Sequence, residues 1–178
     1  GGDIFFAITD TDDILHVFKY APDEPNSLSG QRLLHCTSFN LHSTNTCMAL
    51  LPKNEEFEPA QANMKNFQAI GGQVDGSVFK LLPLREDVYR RLYVVQQQIT
   101  EKELQLGGLN PRMERLSNEH YKTTHVLRPM LDFNVIQRFK RLSTDRRKQI
   151  SQKVGKRAHF EIWRDLINVE FSLRSLCK

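Results

Sequence analysis

The sequence predicts a mixed β and α chain in which about six short antiparallel strands come first and a group of helices follows. Apolar residues in the first half occur in short runs separated by Asp, Asn, Pro and Gly, as in strands joined by turns. From Arg85 onward, apolar residues recur every three or four positions, as on one face of a helix. The predicted boundary therefore divides the chain into residues 1–85 and residues 86–178.

The first half has strand character over most of its length. Its polar segment 53–65 shows no period and is predicted to be a surface insertion, whose role the sequence leaves open. The Val-Asp-Gly-Ser sequence at 74–77 has the composition of a hairpin turn. The six predicted strands are 4–8, 14–20, 32–41, 47–51, 67–70 and 78–84.

Six strands at this spacing amount to about one and a half four-stranded blades of a β-propeller. A propeller closes with roughly four to eight blades, so we expect residues 1–85 to be its terminal blades. The unpaired edges of an incomplete sheet would take their partner strands from a longer parent chain. The absence of an initiator Met agrees with that expectation.

The second half is predicted to be an α-helical domain. A first helix begins after Arg85 and ends before the glycine pair at 107–108. Ser143 or Thr144 is predicted to cap a helix that ends at Gly155, because both residue types are good N-caps. The other predicted helices are 111–121, 132–142 and 158–176.

The last predicted helix is apolar on two opposite sides. At about 100° per residue, its apolar residues form two stripes, so we expect neighbours on both sides. One stripe would pack within the helical domain and the other on the propeller or on a partner. The first stripe contains Phe160, Trp163, Ile167 and Phe171. The second, the candidate for partner contact, contains Ile162, Leu166, Val169 and Leu173, and continues to Leu176.

Positive charge is concentrated in one stretch of the second half. Residues 138–157 contain nine basic side chains and one acidic side chain, Asp145. Clustered Lys and Arg can contact phosphates of RNA or an acidic protein segment, although such runs are commonly solvated helix faces. The candidate contact residues are Arg138, Lys140, Arg141, Arg146, Arg147 and Lys148. A helix-turn-helix reader using 158–176 is disfavoured by the three acidic residues of that helix.

The sequence offers no catalytic, cofactor or metal constellation. A nucleophile with a nearby base is not recognisable, and neither are paired carboxylates on one helix face. Cys36, Cys47 and Cys177 are an odd number without a CxxC pair, which argues against a disulfide framework and a zinc site. No apolar run approaches the roughly 20 residues that a membrane span requires. We therefore expect a protein that is not an enzyme, binds no cofactor and enters no membrane.

Several segments resemble a known family. GSVFKLLPL at 76–84, followed by YRRL at 89–92, resembles the last propeller strand and exit helix of large three-propeller scaffold proteins. GGLNPR at 107–112 is most similar to the large subunit of the cleavage and polyadenylation specificity factor in its fungal form. Residues 3–15 and 128–132 resemble the blade pattern and the C-terminal domain of that family. The resemblance covers nearly the whole chain except 53–65.

The resemblance implies a nuclear, non-catalytic scaffold in the cleavage and polyadenylation of pre-mRNA. In that family, the large subunit holds a WD-repeat subunit and a zinc-finger subunit and links them to the poly(A) polymerase module. Signal recognition is mainly a property of those partners, so contact with pre-mRNA would be indirect. Direct RNA binding through the basic stretch 138–157 is the alternative function.

Overall fold

A computed structural model describes residues 4–52, 67–103, 129–155 and 158–175. Strands precede the α-helices in these residues, as the sequence predicts, and a short 3₁₀ helix, Pro25–Ser27, lies between the second and third strands. The predicted insertion 53–65 and the predicted helix 111–121 lie outside the described residues. The strands are β1 (Ile4–Thr9), β2 (Ile14–Tyr20), β3 (Leu34–Asn40), β4 (Asn45–Pro52), β5 (Phe67–Gln73) and β6 (Val78–Leu81), and the helices are α1 (Glu86–Lys102), α2 (Phe133–Ile136), α3 (Thr144–Val154) and α4 (Ala158–Arg174).

The described residues form two compact units. One contains β1, β2 and β3 within residues 4–45, and the other contains β4 to β6 together with the four helices. The change from strands to helices falls between β6 and α1, at the predicted position near residue 85. The grouping of β4 to β6 with the helices follows the packing, which the order of secondary structure does not reveal.

The first unit is an antiparallel sheet in the order β1-β2-β3. Its register is interrupted by a bulge between Val17 and Phe18. Leu15 is fully buried, whereas β1 exposes large apolar side chains on both faces. Alternate residues of a strand point to opposite faces, so no face of β1 is covered by the described part of this unit. The exposed residues of β1 are Ile4, Phe5, Phe6 and Ile8.

The second unit contains the sheet β4-β5-β6. Strands β5 and β6 are antiparallel, with Gly71 opposite Phe79. Gly76 has φ +83° in the connecting turn, a conformation that glycine adopts without strain. Asp75 accepts a hydrogen bond from the Ser77 backbone N–H at 2.9 Å. The predicted hairpin turn at 74–77 is therefore confirmed.

The helices of the second unit enclose one apolar core. Each helix contributes to it through residues at helical spacing, and the 3₁₀ helix Gln137–Arg141 contributes one aromatic ring. Removing these side chains from water is the main stabilisation of the unit. The buried core residues are Leu92, Val95 and Ile99 of α1, Val135 and Ile136 of α2, Phe139 of the 3₁₀ helix, Ile150 of α3, and Ala158, Ile162 and Leu166 of α4.

The predicted helix 132–142 is two shorter pieces. Asp132 caps α2 by accepting from the Asn134 backbone N–H at 2.9 Å. The chain then tightens into the 3₁₀ helix, a geometry used in short connecting pieces. It still buries Phe139. Ser143 caps α3 as predicted, accepting from the Arg146 backbone N–H at 3.3 Å.

Polar contacts fix α4 within the second unit. Asp165, on the inner side of α4, accepts from Arg91 of α1 at 2.6 Å, and this hydrogen bond raises the pKa of Arg91. Lys80 of β6 donates to the backbone carbonyls of Ser172 and Ser175, each at 2.7 Å. A cation on the last carbonyls of a helix also interacts favourably with its dipole. Helix α4 is thus held to α1 and to β6 as well as to the core.

Candidate functional site

The inner side of α4 belongs to the core of the second unit. Ile162 and Leu166 are 0% exposed, and Val169 packs against the same core. Leu173 is half-buried, and Leu176 lies outside the described residues. The sequence-based hypothesis assigned partner contact to this stripe. For Ile162 and Leu166 it is wrong, because side chains enclosed by their own helices are not accessible to a second protein.

The outer side of α4 carries the exposed apolar residues. Phe160 is 82% exposed, Ile167 56% and Phe171 55%. They lie opposite Ile162 and Leu166, so the two apolar sides predicted from the sequence are confirmed. The accessible side is the stripe that the sequence-based hypothesis placed inside. We refer to the exposed side of α4, with Phe160, Ile167 and Phe171 at its centre, as the outer face.

Trp163 lies at the margin of the outer face rather than within it. Its ring is half-buried and meets the Phe139 ring edge-on, with centroids 6.1 Å apart. The Arg147 guanidinium lies over the indole at 5.6 Å from the ring centre, a cation–π geometry. The indole N–H donates to His159 Nε2 at 3.3 Å. Trp163 therefore joins α4 to α3 and to the 3₁₀ helix.

Two arginines border the outer face, and the side chains of both are largely exposed: Arg164 and Arg174. Arg174 pairs with Glu170 at 2.6 Å, and Lys140 donates to the same carboxylate. The Lys140 hydrogen bond lowers the pKa of Glu170. One carboxylate thus lies between two cations, and this margin stays positive.

The predicted basic contact cluster does not remain together. Lys140 binds Glu170, Arg146 donates to Glu103, and Arg147 covers the Trp163 ring. These three cations hold neighbouring elements of the second unit in place. The other three predicted contact residues have exposed side chains: Arg138, Arg141 and Lys148.

A buried histidine–aspartate pair in the first unit has no counterpart among the sequence-predicted residues. His16 of β2 is buried and meets Asp10 Oδ2 at 2.9 Å through its Nε2. Its Nδ1 lies 3.4 Å from Nε2 of His35 on β3. In the sequence, His16 is a polar residue between Leu15 and Val17 of an apolar strand, and its partner on β3 becomes known only with the strand register.

Asp10 holds the β1–β2 turn. Its Oδ1 accepts from the backbone N–H groups of Asp12 and Ile14, at 3.0 and 2.9 Å. Burial opposes ionisation of this carboxyl, but the hydrogen bonds from His16 and from the two backbone groups outweigh burial and lower the pKa of Asp10. For His35, burial disfavours the protonated ring and lowers the pKa, and the nearby His16 lowers it further. The arrangement clamps a turn between strands, which is a structural role.

The described part of the chain was also compared with the requirements of a metal site, a membrane-spanning helix and a disulfide, and it meets none of them. Among those residues, no group of three or more His, Cys, Asp or Glu is arranged to hold a metal ion. The described helices include none that is both long and apolar enough to cross a membrane. Within the same residues, Cys36 and Cys47 are not joined in a disulfide. The exposed apolar residues of its outer face make α4 the strongest candidate functional site of the second unit.

Comparison with known proteins identifies the family of the chain. The family described as "CPSF A subunit region" matches residues 1–141, which end just before α3. The protein named CFT1 of Saccharomyces cerevisiae is 68% identical over 100% of the chain, and that of Kluyveromyces lactis is 50% identical over 98%. The cft1 protein of Schizosaccharomyces pombe is 30% identical over 87%.

The chain spans only a small part of these relatives, about 13% of the length of the Saccharomyces cerevisiae protein. The fungal relatives nevertheless match it over nearly its whole extent, including α3 and α4 in the first two cases. Both the family match and the identities confirm the resemblance that the motifs at 76–84 and 107–112 indicated. The chain belongs to the CPSF A subunit family.

Proposed function

We propose that the chain is a non-catalytic scaffold region that acts in the cleavage and polyadenylation of pre-mRNA. Membership of the CPSF A subunit family supports a role in 3′-end processing. The observation that carries the scaffold role is the outer face of α4, where large apolar side chains stand exposed on a helix whose other side is locked into a core. Exposed apolar surface on a firmly held element is typical of a protein interaction site.

The proposal includes the partners that the family implies. These are a WD-repeat subunit, a zinc-finger subunit and the poly(A) polymerase module, with pre-mRNA held through them, in the nucleus. Residues 1–85 would form terminal propeller blades. The three-stranded sheet of the first unit supports this part, because it is one strand short of a four-stranded blade and because neighbouring blades would cover the apolar faces of β1.

The scaffold role is tested in the complete parent protein. Leu166→Asp places a carboxylate in the core of the second unit, which should unfold the unit because a buried, unpaired charge is costly. Purification of the complex should then show loss of partner subunits. Retention of every subunit together with loss of RNA processing would contradict the scaffold role and indicate direct handling of RNA.

Direct RNA binding is the second candidate function. The exposed side chains of Arg138, Arg141 and Lys148 favour it. Its test uses Arg141→Glu with Lys148→Glu, since Arg146 and Arg147 hold the fold and their loss would confuse folding with binding. Tight binding of single-stranded RNA that weakens steeply with salt and disappears in the double variant would establish this function.

A further inference from the structure

The outer face has a regular arrangement of apolar and charged residues. At about 100° per residue, Ile167, Phe160 and Phe171 fall within a strip roughly 40° wide along α4. Arg174 lies about 20° outside one edge of the strip, and Arg164 lies about 20° outside the other. An apolar seam thus runs along the helix between two arginines.

Carboxylates are kept away from this seam. Asp165 is buried and bound by Arg91, and Glu170 is held by Lys140 and Arg174. The third carboxylate of α4, Glu161, is half-buried and lies about 80° beyond the edge of the seam. The chemistry offered to an incoming molecule is therefore an apolar centre with positive flanks.

The seam is also held rigidly before anything binds. Its helix is fixed from the inside by Ile162 and Leu166, and at its C-terminal end by Lys80. A preorganised surface loses little conformational entropy on association. The exposed helix is 17 residues long, which corresponds to roughly 25 Å at 1.5 Å per residue.

We propose that the outer face of α4 docks an amphipathic α-helix of a partner protein, with an apolar stripe flanked by Asp and Glu. This inference rests on the proposed scaffold function and specifies the chemistry of one partner. Apolar residues seven and eleven positions apart on a helix fit the ridge of a second helix lying along it. Carboxylates on both flanks of that helix would meet Arg164 and Arg174, which favours one type of partner over others.

Two other occupants fit the observations less well. A second copy of this chain would bring arginine flanks against arginine flanks, without carboxylates to meet them. A single-stranded RNA could stack on Phe160 and Phe171, but these rings are 11 residues apart, roughly 16 Å along the helix. Ile167 lies between them, so successive bases would not find a continuous stacking platform.

Binding is tested on the 178-residue chain with a designed probe. The probe is a labelled amphipathic helical peptide with Leu at heptad spacing and Glu on both flanks, and its matched control carries Lys in place of Glu. Fluorescence anisotropy should show the Glu peptide binding about tenfold or more tightly than the Lys peptide, with the ratio shrinking as salt rises. Equal binding of the two peptides would overturn the proposal.

Variants locate the binding surface. Ile167→Ser should abolish binding of the Glu peptide, whereas Val78→Ser, which removes an apolar side chain from β6 that is at least as exposed, should not. Arg164→Glu should weaken binding of the Glu peptide and strengthen binding of the Lys peptide. Unchanged binding in Ile167→Ser or Arg164→Glu would place the peptide elsewhere and overturn the proposal.

Two further measurements distinguish the other occupants. Sedimentation that shows a dimer broken by Ile167→Ser would assign the face to a second copy, and RNA that displaces the Glu peptide would assign it to RNA. In the complete parent protein, a photo-crosslinker replacing Ile167 should link to a second polypeptide, and a link within the same polypeptide would overturn the proposal. If these tests fail while Leu166→Asp still disassembles the complex, the docking site is wrong and the scaffold role stands.

Discussion

The helices of the second unit and the sheet of the first unit differ in how far their apolar side chains are buried. Ten buried apolar residues of the helices contact one another in a single core. In the sheet, Leu15 and Leu34 are buried, but β1 leaves Ile4, Phe5 and Phe6 exposed. The difference indicates that the helices carry their own stabilisation, whereas the sheet depends on neighbours beyond the described residues.

The largest expected effect is the loss of stability when the ion pair between Arg91 and Asp165 is broken. Arg91→Met removes the main cation that binds Asp165 and leaves an almost completely buried carboxylate, with only the exposed Arg164 at 3.9 Å. We expect the free energy of unfolding to fall by about 3–5 kcal/mol, because a buried charge without its close partner is strongly unfavourable. Urea denaturation followed by circular dichroism measures it. Arg90→Met, which breaks the exposed pair with Glu86, is the control and should cost about 1 kcal/mol or less.

The next prediction compares two adjacent residues of α4, one on its buried side and one on its outer face. Leu166→Ala opens a cavity in the core and should cost about 2–5 kcal/mol. Ile167→Ala changes an exposed side chain and should alter stability by less than about 0.5 kcal/mol. Thermal unfolding of both variants checks the pair. Similar losses in the two variants would mean that the outer face is already covered within the 178-residue chain.

Hydrogen exchange sharpens the comparison between the two units. Amides of β1 to β3 should exchange faster than those of α1, α3 and α4, because local stability follows the amount of buried apolar contact. Amides of β5 and β6, which belong to the unit of the helices, should lie between them. Mass spectrometry of peptides from the intact chain measures the order. Uniform protection across both units would show that the sheet is self-sufficient.

The smallest expected effect is an acid sensitivity of the first sheet. The pKa of Asp10 is lowered from 3.8 in the folded sheet, so ionised Asp10 stabilises the fold above that value. This contribution declines once the pH falls below about 4, and it is lost when the pH has also passed the lowered pKa of the folded state. Asp10→Asn should therefore flatten the pH dependence of the protection factors in β1 and β2, which relate the exchange rates to the intrinsic rate at each pH. Asp12→Asn, which changes an exposed side chain of the same turn, should leave that dependence unchanged.

Local patterns predicted most of the secondary structure. Predicted strand 14–20 has the observed bounds, the predicted hairpin at 74–77 is present, and Ser143 caps α3. These features depend on neighbours within a few residues, through alternation, turn chemistry and capping. The predicted bounds of the strands at 32–41 and 78–84 were longer than those observed, because strand ends depend on pairing with another strand.

The basic cluster shows where such patterns stop being informative. Nine cations in 20 residues predicted one contact surface. In the fold, Lys140, Arg146 and Arg147 contact groups that lie 16 to 43 positions away in the chain. Sequence composition counts charges, whereas the partners of each charge depend on which helices pack together. The contact between His16 and Asp10 spans only six residues, but it depends on how the β1–β2 turn folds back, which the local pattern does not specify.

That α4 is apolar on two opposite sides follows from the order of its residues alone, because helical geometry fixes the angle between any two of them. Which of the two sides is buried depends on the packing of the whole unit. The core formed by Leu92, Phe139 and Ile150 accepts Ile162 and Leu166, and this turns Phe160 and Ile167 outward. Periodicity defines relative directions around a helix, whereas the absolute direction is set by the neighbours with which the helix packs.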